Sequence, residues 1–297
     1  MKENAPIWRS MLFVPAHSEK FLAKAAEKAK TGSGADAVII DLEDSVPMDL
    51  KAEARAGLAD ACKLLRDAGL DILLRVNSYD DTCEDIAPED LLAGVRAGVD
   101  GFVLPKIERA NAVKYAAEKL AEFSPDKKDW LLLAQIEHVN ALICLDEIAS
   151  SSPLLVGMSL GTEDFSASAG MSPTPDTLYL PSQQIVFACR RAGITPYGFP
   201  ASIAEFNDVD ALQIHIEKAR DMGFVGAMCI HPNQVAALNK LMTPNPEEVE
   251  NAKALLAAWD QAKEQGLGAF KFNGKMVDKP VFMRAKELLR RHESLSK

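Results

Sequence analysis

Nowhere does the 297-residue chain hold an uncharged apolar run of the roughly eighteen residues that a membrane span requires. Its opening residues, MKENAPIWRS, lack the apolar stretch of a secretory leader, so a cytoplasmic location is expected. Cysteine is sparse. Cys62, Cys83, Cys144, Cys189 and Cys229 are odd in number, far apart and without a C-x-x-C pair, which argues against a disulfide framework and against structural zinc. Positive charge is in deficit, with 33 Lys and Arg against 43 Asp and Glu and a net charge of -10. Neither nucleic acid nor an anionic membrane surface is then expected as a partner. A small anionic ligand is still allowed, because it needs only a local basic patch.

What is present is an alternation. With 48% apolar and 26% charged residues, the chain has the makeup of a globular protein. Short apolar runs rich in β-formers alternate with helix-period segments eight times. The runs are SMLFVP (10–15), AVIIDLE (37–43), DILLRVN (71–77), GFVLPK (101–106), WLLLAQIE (130–137), LLVGMSLG (154–161), ITPYGFP (194–200) and GAMCIHP (226–232). Between them lie amphipathic stretches such as ERANAVKYAAEKLAEF, many closed by the Gly expected after a helix end. Eight such units predict a (β/α)8 TIM barrel over residues 1–242; a doubly wound open sheet shares the same local pattern. Residues 243–297 are expected to form a C-terminal helical extension, with helices near 247–265 and 280–291 joined by the Gly-rich GLGAFKFNGKMVDK.

Charged side chains gather at the C-terminal ends of these strands: Glu43 and Asp44, Arg75, Lys106, Glu137, Asp164 just past strand six, and His231. In a barrel all those ends open onto one face, where barrel active sites lie. WLLLAQIEH poses the sharpest case, because a carboxylate at the tip of a buried strand is costly unless a cation meets it. Glu137 and Asp164 come from neighbouring units. Two such acids repel unless a cation lies between them or one is protonated. Oxygen-only ligands with open positions suit Mg2+. Arg75 offers a fork for a substrate carboxylate or carbonyl oxygen, the plainer alternative being a rim salt bridge to one of the acids.

Two motifs compete with this reading. GSGADA (32–37) matches a dinucleotide fingerprint but precedes a strand instead of following one. GMSLG (157–161) matches a nucleophile elbow, with Ser159 as nucleophile and His231 as base. The elbow needs a helix at once, and the Ser-, Thr- and Pro-rich TEDFSASAGMSPTP argues against one. His17, His138, His215 and His292 show no metal-ligand spacing.

RSMLFVPA, DLEDSV, RVN, LPK, QIE, SLGTEDF, CIHPNQV and GKMVDKP, in that order from Arg9 to about Arg291, resemble the citrate lyase β-subunit family of the HpcH/HpaI aldolase superfamily. That family includes malyl-CoA and citramalyl-CoA lyases. The resemblance implies a (β/α)8 barrel that binds Mg2+, acts on 3-hydroxyacyl thioesters and assembles as homotrimers or homohexamers. It places the metal ligands on Glu137 and Asp164 and the oxo-acid contact on Arg75. Glu43 and Asp44 would order the metal's waters. Gly161, Thr162, Glu163, Lys106 and Lys20 would meet the substrate. Asp278 would be an acid that enters a neighbouring subunit's pocket, with the extension packed on that subunit. The chain departs from the family pattern at Ala16, Lys20, His138 and Ser202. The implied reaction is Claisen-type cleavage of malyl-CoA, citramalyl-CoA or a similar thioester into an acyl-CoA and a 2-oxo acid. A metal-dependent aldolase of free 4-hydroxy-2-oxo acids is the first alternative. A non-catalytic scaffold or a Ser159 hydrolase is the second.

Overall fold

The computed structural model describes residues 6–78 and 86–295, so Cys83 lies outside the described residues. The strands are β1 (Ser10–Pro15), β2 (Ala37–Asp41), β3 (Asp71–Arg75), β4 (Gly101–Leu104), β5 (Leu131–Ile136), β6 (Leu155–Leu160), β7 (Thr195–Tyr197) and β8 (Ala227–Cys229). All pair in parallel, in the order β7-β6-β5-β4-β3-β2-β1-β8. A parallel bridge between Tyr197 and Gly226 brings β7 to the edge of β8 and closes the ring. The barrel, not the open sheet, is therefore the fold.

The helices that wrap it are α1 (Glu19–Lys30), α2 (Lys51–Ala56), α3 (Leu58–Arg66), α4 (Pro88–Ala97), α5 (Ala110–Phe123), α6 (Leu145–Ala149), α7 (Thr162–Ala169), α8 (Pro175–Ala192), α9 (Val209–Met222) and α10 (Pro232–Leu241). Their ends carry local signals. Ser18 and Thr174 cap N-termini through their hydroxyls, and Gly98 and Gly193 close C-termini in the left-handed region that suits glycine.

Side-chain alternation along the strands decides what each residue can reach. Val38, Ile40, Ile72, Leu74, Leu132, Ala134, Ile136, Met158 and Leu160 join the apolar layer shared with the helices. The opposite parity, including Asp41, Arg75, Gln135 and Ser159, looks into the barrel. On β2, β5 and β6 the polar residues of that inner face stand at or near the C-terminal ends, whereas Asp71 and Thr195 hold the same parity at the N-terminal ends of β3 and β7.

β7 and β8 are three residues each, shorter than the runs 194–200 and 226–232 suggest. Proline explains part of the loss: Pro200 has no N–H for a ladder, and Pro232 instead opens α10.

The chain divides into two compact units, Met1–Met242 and Thr243–Lys297. The second holds α11 (Pro246–Glu264) and α12 (Lys279–Leu295), with Trp259 stacked on Phe282 at 4.9 Å. The connection between them is not an irregular Gly-rich stretch. It is an antiparallel hairpin of β9 (Phe270–Phe272) and β10 (Lys275–Val277). Asn273 and Gly274 form its two-residue turn with φ of 45° and 79°, the pair of positive values that Asn-Gly accommodates. Among the described residues no helix is long and apolar enough to cross a membrane.

Candidate active site at the C-terminal mouth of the barrel

A cavity of about 340 Å³ opens at the C-terminal ends of the strands, and Asp41, Arg75, Gln135, Glu137 and Asp164 line it. Its basic wall is built by register. Asp41 and Arg75 are partners across β2 and β3, so their side chains emerge side by side on the inner face. The Arg75 Nε donates to Asp41 Oδ1 at 2.6 Å and Nη2 to Oδ2 at 2.7 Å, a fork-to-carboxylate pair. Its remaining nitrogen, Nη1, lies 2.9 Å from Glu43 Oε2, and the guanidinium sits 4.6 Å from the centre of the Phe13 ring. Burial would push the Asp41 carboxyl up, but the Arg75 fork, Ser45 and the Glu43 N–H outweigh it and hold it below the usual range.

Asp41 is the site residue that reading the sequence missed. In DLED the pair Glu43 and Asp44 stood out as the acids, yet strand parity puts Asp41 and Glu43 on the same inner side. Asp44, past the strand, is half exposed and reaches Arg75 and Lys106 only at 3.7 Å.

Glu137 is 4% exposed at the tip of β5. Burial, then repulsion from Glu43 and Asp164, push its carboxyl up to about 8, although Arg75 and the Lys106 N–H act the other way. The Lys106 N–H donates to Oε2 at 2.7 Å. Oε1 lies against Gly161, where a Cβ would overlap both Oε1 and Cγ, so this position has no room for a side chain. Three residues on, Asp164 stands in the first turn of α7, where the helix N-terminus favours a negative charge.

Glu43, 5% exposed, is ion-paired by Arg75 and by Lys106 Nζ at 3.0 Å, and neither of its oxygens sits in hydrogen-bond geometry. Burial raises its pKa against the pull of both cations. The buried Gln135 Oε1 has no partner either. Among the described residues no three His, Cys, Asp or Glu side chains form a ready-made metal cluster. Two carboxylates from adjoining strand ends, an unpaired amide oxygen and an unfavourable excess of buried negative charge nevertheless fit a hard dication that keeps positions open for water and substrate. The residues present suit Mg2+.

Gly161, Thr162 and Glu163 line the same cavity. Glu163 accepts from Ser202 Oγ at 2.7 Å, and Thr162 Oγ1 accepts from the Ile203 N–H, so these residues tie α7 to the loop after β7. Lys106 does not line the cavity; it stands behind the acids with φ of 53°. Lys20 is exposed on α1 and lines neither this cavity nor a second one of about 470 Å³ that shares Phe13, Ser45 and Ile230 with it. The cations in that second cavity are Lys24 and Lys28.

A helix does begin directly after Gly161, contrary to the expectation from TEDFSASAGMSPTP, because Gly170 and Pro175 close and restart helices inside that stretch. The elbow is absent for other reasons. Ser159 is buried within β6 with its Oγ on Met228 Sδ at 3.5 Å, and His231 caps α10 through Nδ1 while stacking on Phe206. Asp278 caps α12, its Oδ1 accepting from the Val281 N–H at 3.3 Å.

A closed parallel barrel with an acidic, dication-sized cluster at its C-terminal mouth defines a metal-assisted barrel enzyme by its architecture. The HpcH/HpaI aldolase/citrate lyase family matches residues 9–232, and the chain belongs to it, a family of carbon–carbon lyases. It is 30% identical over 294 residues to the citrate lyase subunit beta of Leuconostoc mesenteroides subsp. cremoris, covering 97% of this chain and 94% of that one. Two Cereibacter sphaeroides proteins are each 32% identical: an L-malyl-CoA/beta-methylmalyl-CoA lyase (97% and 95% covered) and a (3S)-malyl-CoA thioesterase (100% and 98%). Among solved structures, the CitE protein of Mycobacterium tuberculosis in complex with magnesium, acetoacetate and coenzyme A superposes with a TM-score of 0.70 at 29% identity, covering 98% of this chain and 99% of that one.

Proposed function

We propose that the protein is a Mg2+-dependent lyase that cleaves or forms the carbon–carbon bond of a 3-hydroxyacyl-CoA such as malyl-CoA or citramalyl-CoA. The observation that carries this reading is Glu137, a carboxylate held in the barrel mouth beside Asp164 and Glu43 where only a cation makes its charge favourable. The names of the lyase relatives and the ligands of the CitE structure support it.

Glu137 and Asp164 are the residues that would hold Mg2+, which when bound supplies Lewis-acid polarisation of the substrate oxygen that becomes the keto group. Arg75 sets a fixed positive charge on the same wall. Because its fork is tied to Asp41, it cannot swing, and the charge is preorganised for an oxygen that gains negative character. Loss of the hydroxyl proton lets the bond break into a 2-oxo acid and a thioester enolate, and the enolate carbon must then gain a proton. Asp278 is the candidate donor, brought by a neighbouring subunit of a homo-oligomer. Lys24 and Lys28, in the adjoining cavity, join Lys20 as candidate contacts for CoA phosphates.

Incubation with Mg2+ and a panel of malyl-CoA, citramalyl-CoA and free 4-hydroxy-2-oxo acids tests the reading. The expected products are an acyl-CoA and a 2-oxo acid in equal amounts. Turnover of the free acids alone would replace the lyase with an aldolase. Release of free CoA with an intact hydroxy acid would make the protein a thioesterase, like one of its relatives.

A further inference from the structure

Lys106 is a cation at the mouth of the barrel that the proposed chemistry leaves without a task. It does not line the cavity, and its ammonium lies 3.0 Å from Glu43 Oε1 and 3.7 Å from Asp44. Its backbone is in the left-handed region, with φ of 53°. Only one other non-glycine among the described residues has a positive φ, Asn273 in the hairpin turn, where the turn type demands it. A lysine gains nothing locally from that conformation, and strain of this kind persists only where surrounding structure holds it. Here the holding contact is the Lys106 N–H on Glu137 Oε2, at 2.7 Å.

The geometry points to Lys106 as a positioning residue of the metal centre: its N–H holds Glu137, its ammonium holds Glu43, and the one residue thereby keeps a third carboxylate, Glu43, out of the cation's coordination. Without such a restraint two buried like charges on the same wall would both turn to the dication. Arg75 restrains the other oxygen, Oε2, of Glu43, so the two cations bracket that carboxylate from both ends. What the bracket preserves is coordination space. A hard cation held by two carboxylates leaves positions for water and substrate, whereas a third carboxylate would fill one.

This inference rests on the metal reading, so its test starts from the metal alone. Mn2+ would replace Mg2+, with affinity from calorimetry and the number of bound waters from proton relaxation, in the full-length protein and in Glu137→Ala, Lys106→Met, Lys106→Gly and Lys106→Arg. Lys106→Gly accepts the positive φ and keeps the N–H, so it separates the ammonium's role from backbone strain and guards against a Met variant that fails to fold. Glu137→Ala should weaken Mn2+ by about a hundredfold or more, beyond the usual loss for an outer partner. Lys106→Met and Lys106→Gly should bind Mn2+ at least as tightly as the unaltered protein but with about one inner-sphere water fewer, as Glu43 takes its place, and Lys106→Arg should restore the water. Wild-type affinity and relaxation in both the Met and Gly variants would overturn the inference while leaving the metal centre standing. Mn2+ binding that ignores Glu137→Ala would remove the metal centre itself, and this inference with it.

Discussion

Arg75 holds Asp41 edge to edge, at 2.6 and 2.7 Å, and so turns a single nitrogen, Nη1, toward Glu43 and the cavity wall. Both partners are nearly buried, and removing Asp41 leaves the Arg75 Nε and Nη2 without their acceptor, with only Nη1 still paired to Glu43. Asp41→Ala should therefore cost about 3–5 kcal/mol of stability, measured by urea unfolding at neutral pH. The Asp41 carboxyl titrates below its ordinary value, so its contribution is present above the unfolded pKa and is lost as pH falls through the folded one. The gap between wild type and Asp41→Ala should close below about pH 4. Arg75→Lys should lose most activity, because one ammonium cannot hold the Asp41 fork and face Glu43 together.

Glu137 sets an opposite pH dependence in the metal-free protein. Its folded carboxyl keeps a proton up to about 8, whereas the unfolded chain gives it up near the ordinary value. The folded state binds more protons in that window, so stability should decrease as pH rises from about 4.5 to 8. Thermal unfolding after chelation should show this fall, and Glu137→Gln or added Mg2+ should flatten it. An unchanged slope in Glu137→Gln would assign the effect to another group.

Gly161 is a packing requirement of the same carboxylate. Gly161→Ala should displace Glu137 and weaken Mg2+ by about 10–100-fold while leaving the barrel folded, as magnetic titration with Mn2+ and circular dichroism would show.

Ser159 is a buried strand residue whose Oγ meets Met228 Sδ, and His231 caps α10 instead of serving it as a base. Ser159→Ala should keep turnover within a few-fold. Loss of about three powers of ten or more would restore the nucleophile.

Asp278 separates two roles by choice of substitution. Asp278→Asn retains an oxygen for the Val281 N–H, so its stability should match wild type while activity is lost; Asp278→Ala should also cost about 1 kcal/mol as a missing cap. If the acid serves a neighbouring subunit, co-expression of Asp278→Asn with Glu137→Ala should recover up to about a quarter of wild-type activity, by counting sites in a randomly assembled ring. Full activity of Asp278→Asn alone would leave the residue as a cap.

The barrel was legible because period-two apolar runs and period-3.6 amphipathic segments are local properties of the chain, repeated eight times. The hairpin in the second unit was equally written in FKFNGKMV, where Asn-Gly between short strands is the signal, and the surrounding glycines obscured it. Glu137 could be singled out for a similar reason: a carboxylate ending a run as apolar as WLLLAQI is anomalous on composition alone.

By itself, then, the sequence determined the eight β/α units, the strand ends at which polar residues gather and the acid at the tip of β5; the closure that makes a barrel of them came with the Tyr197–Gly226 bridge. Tertiary structure decided which charges meet. Asp41 is 34 residues from Arg75 and pairs with it only because β2 and β3 align them in register. Lys106 turns its N–H to Glu137 and its ammonium to Glu43 through a backbone angle that no propensity of lysine announces. Local periodicity is carried by neighbours along the chain, but ion pairing depends on distance in space, and those distances exist only once the ring of strands has closed.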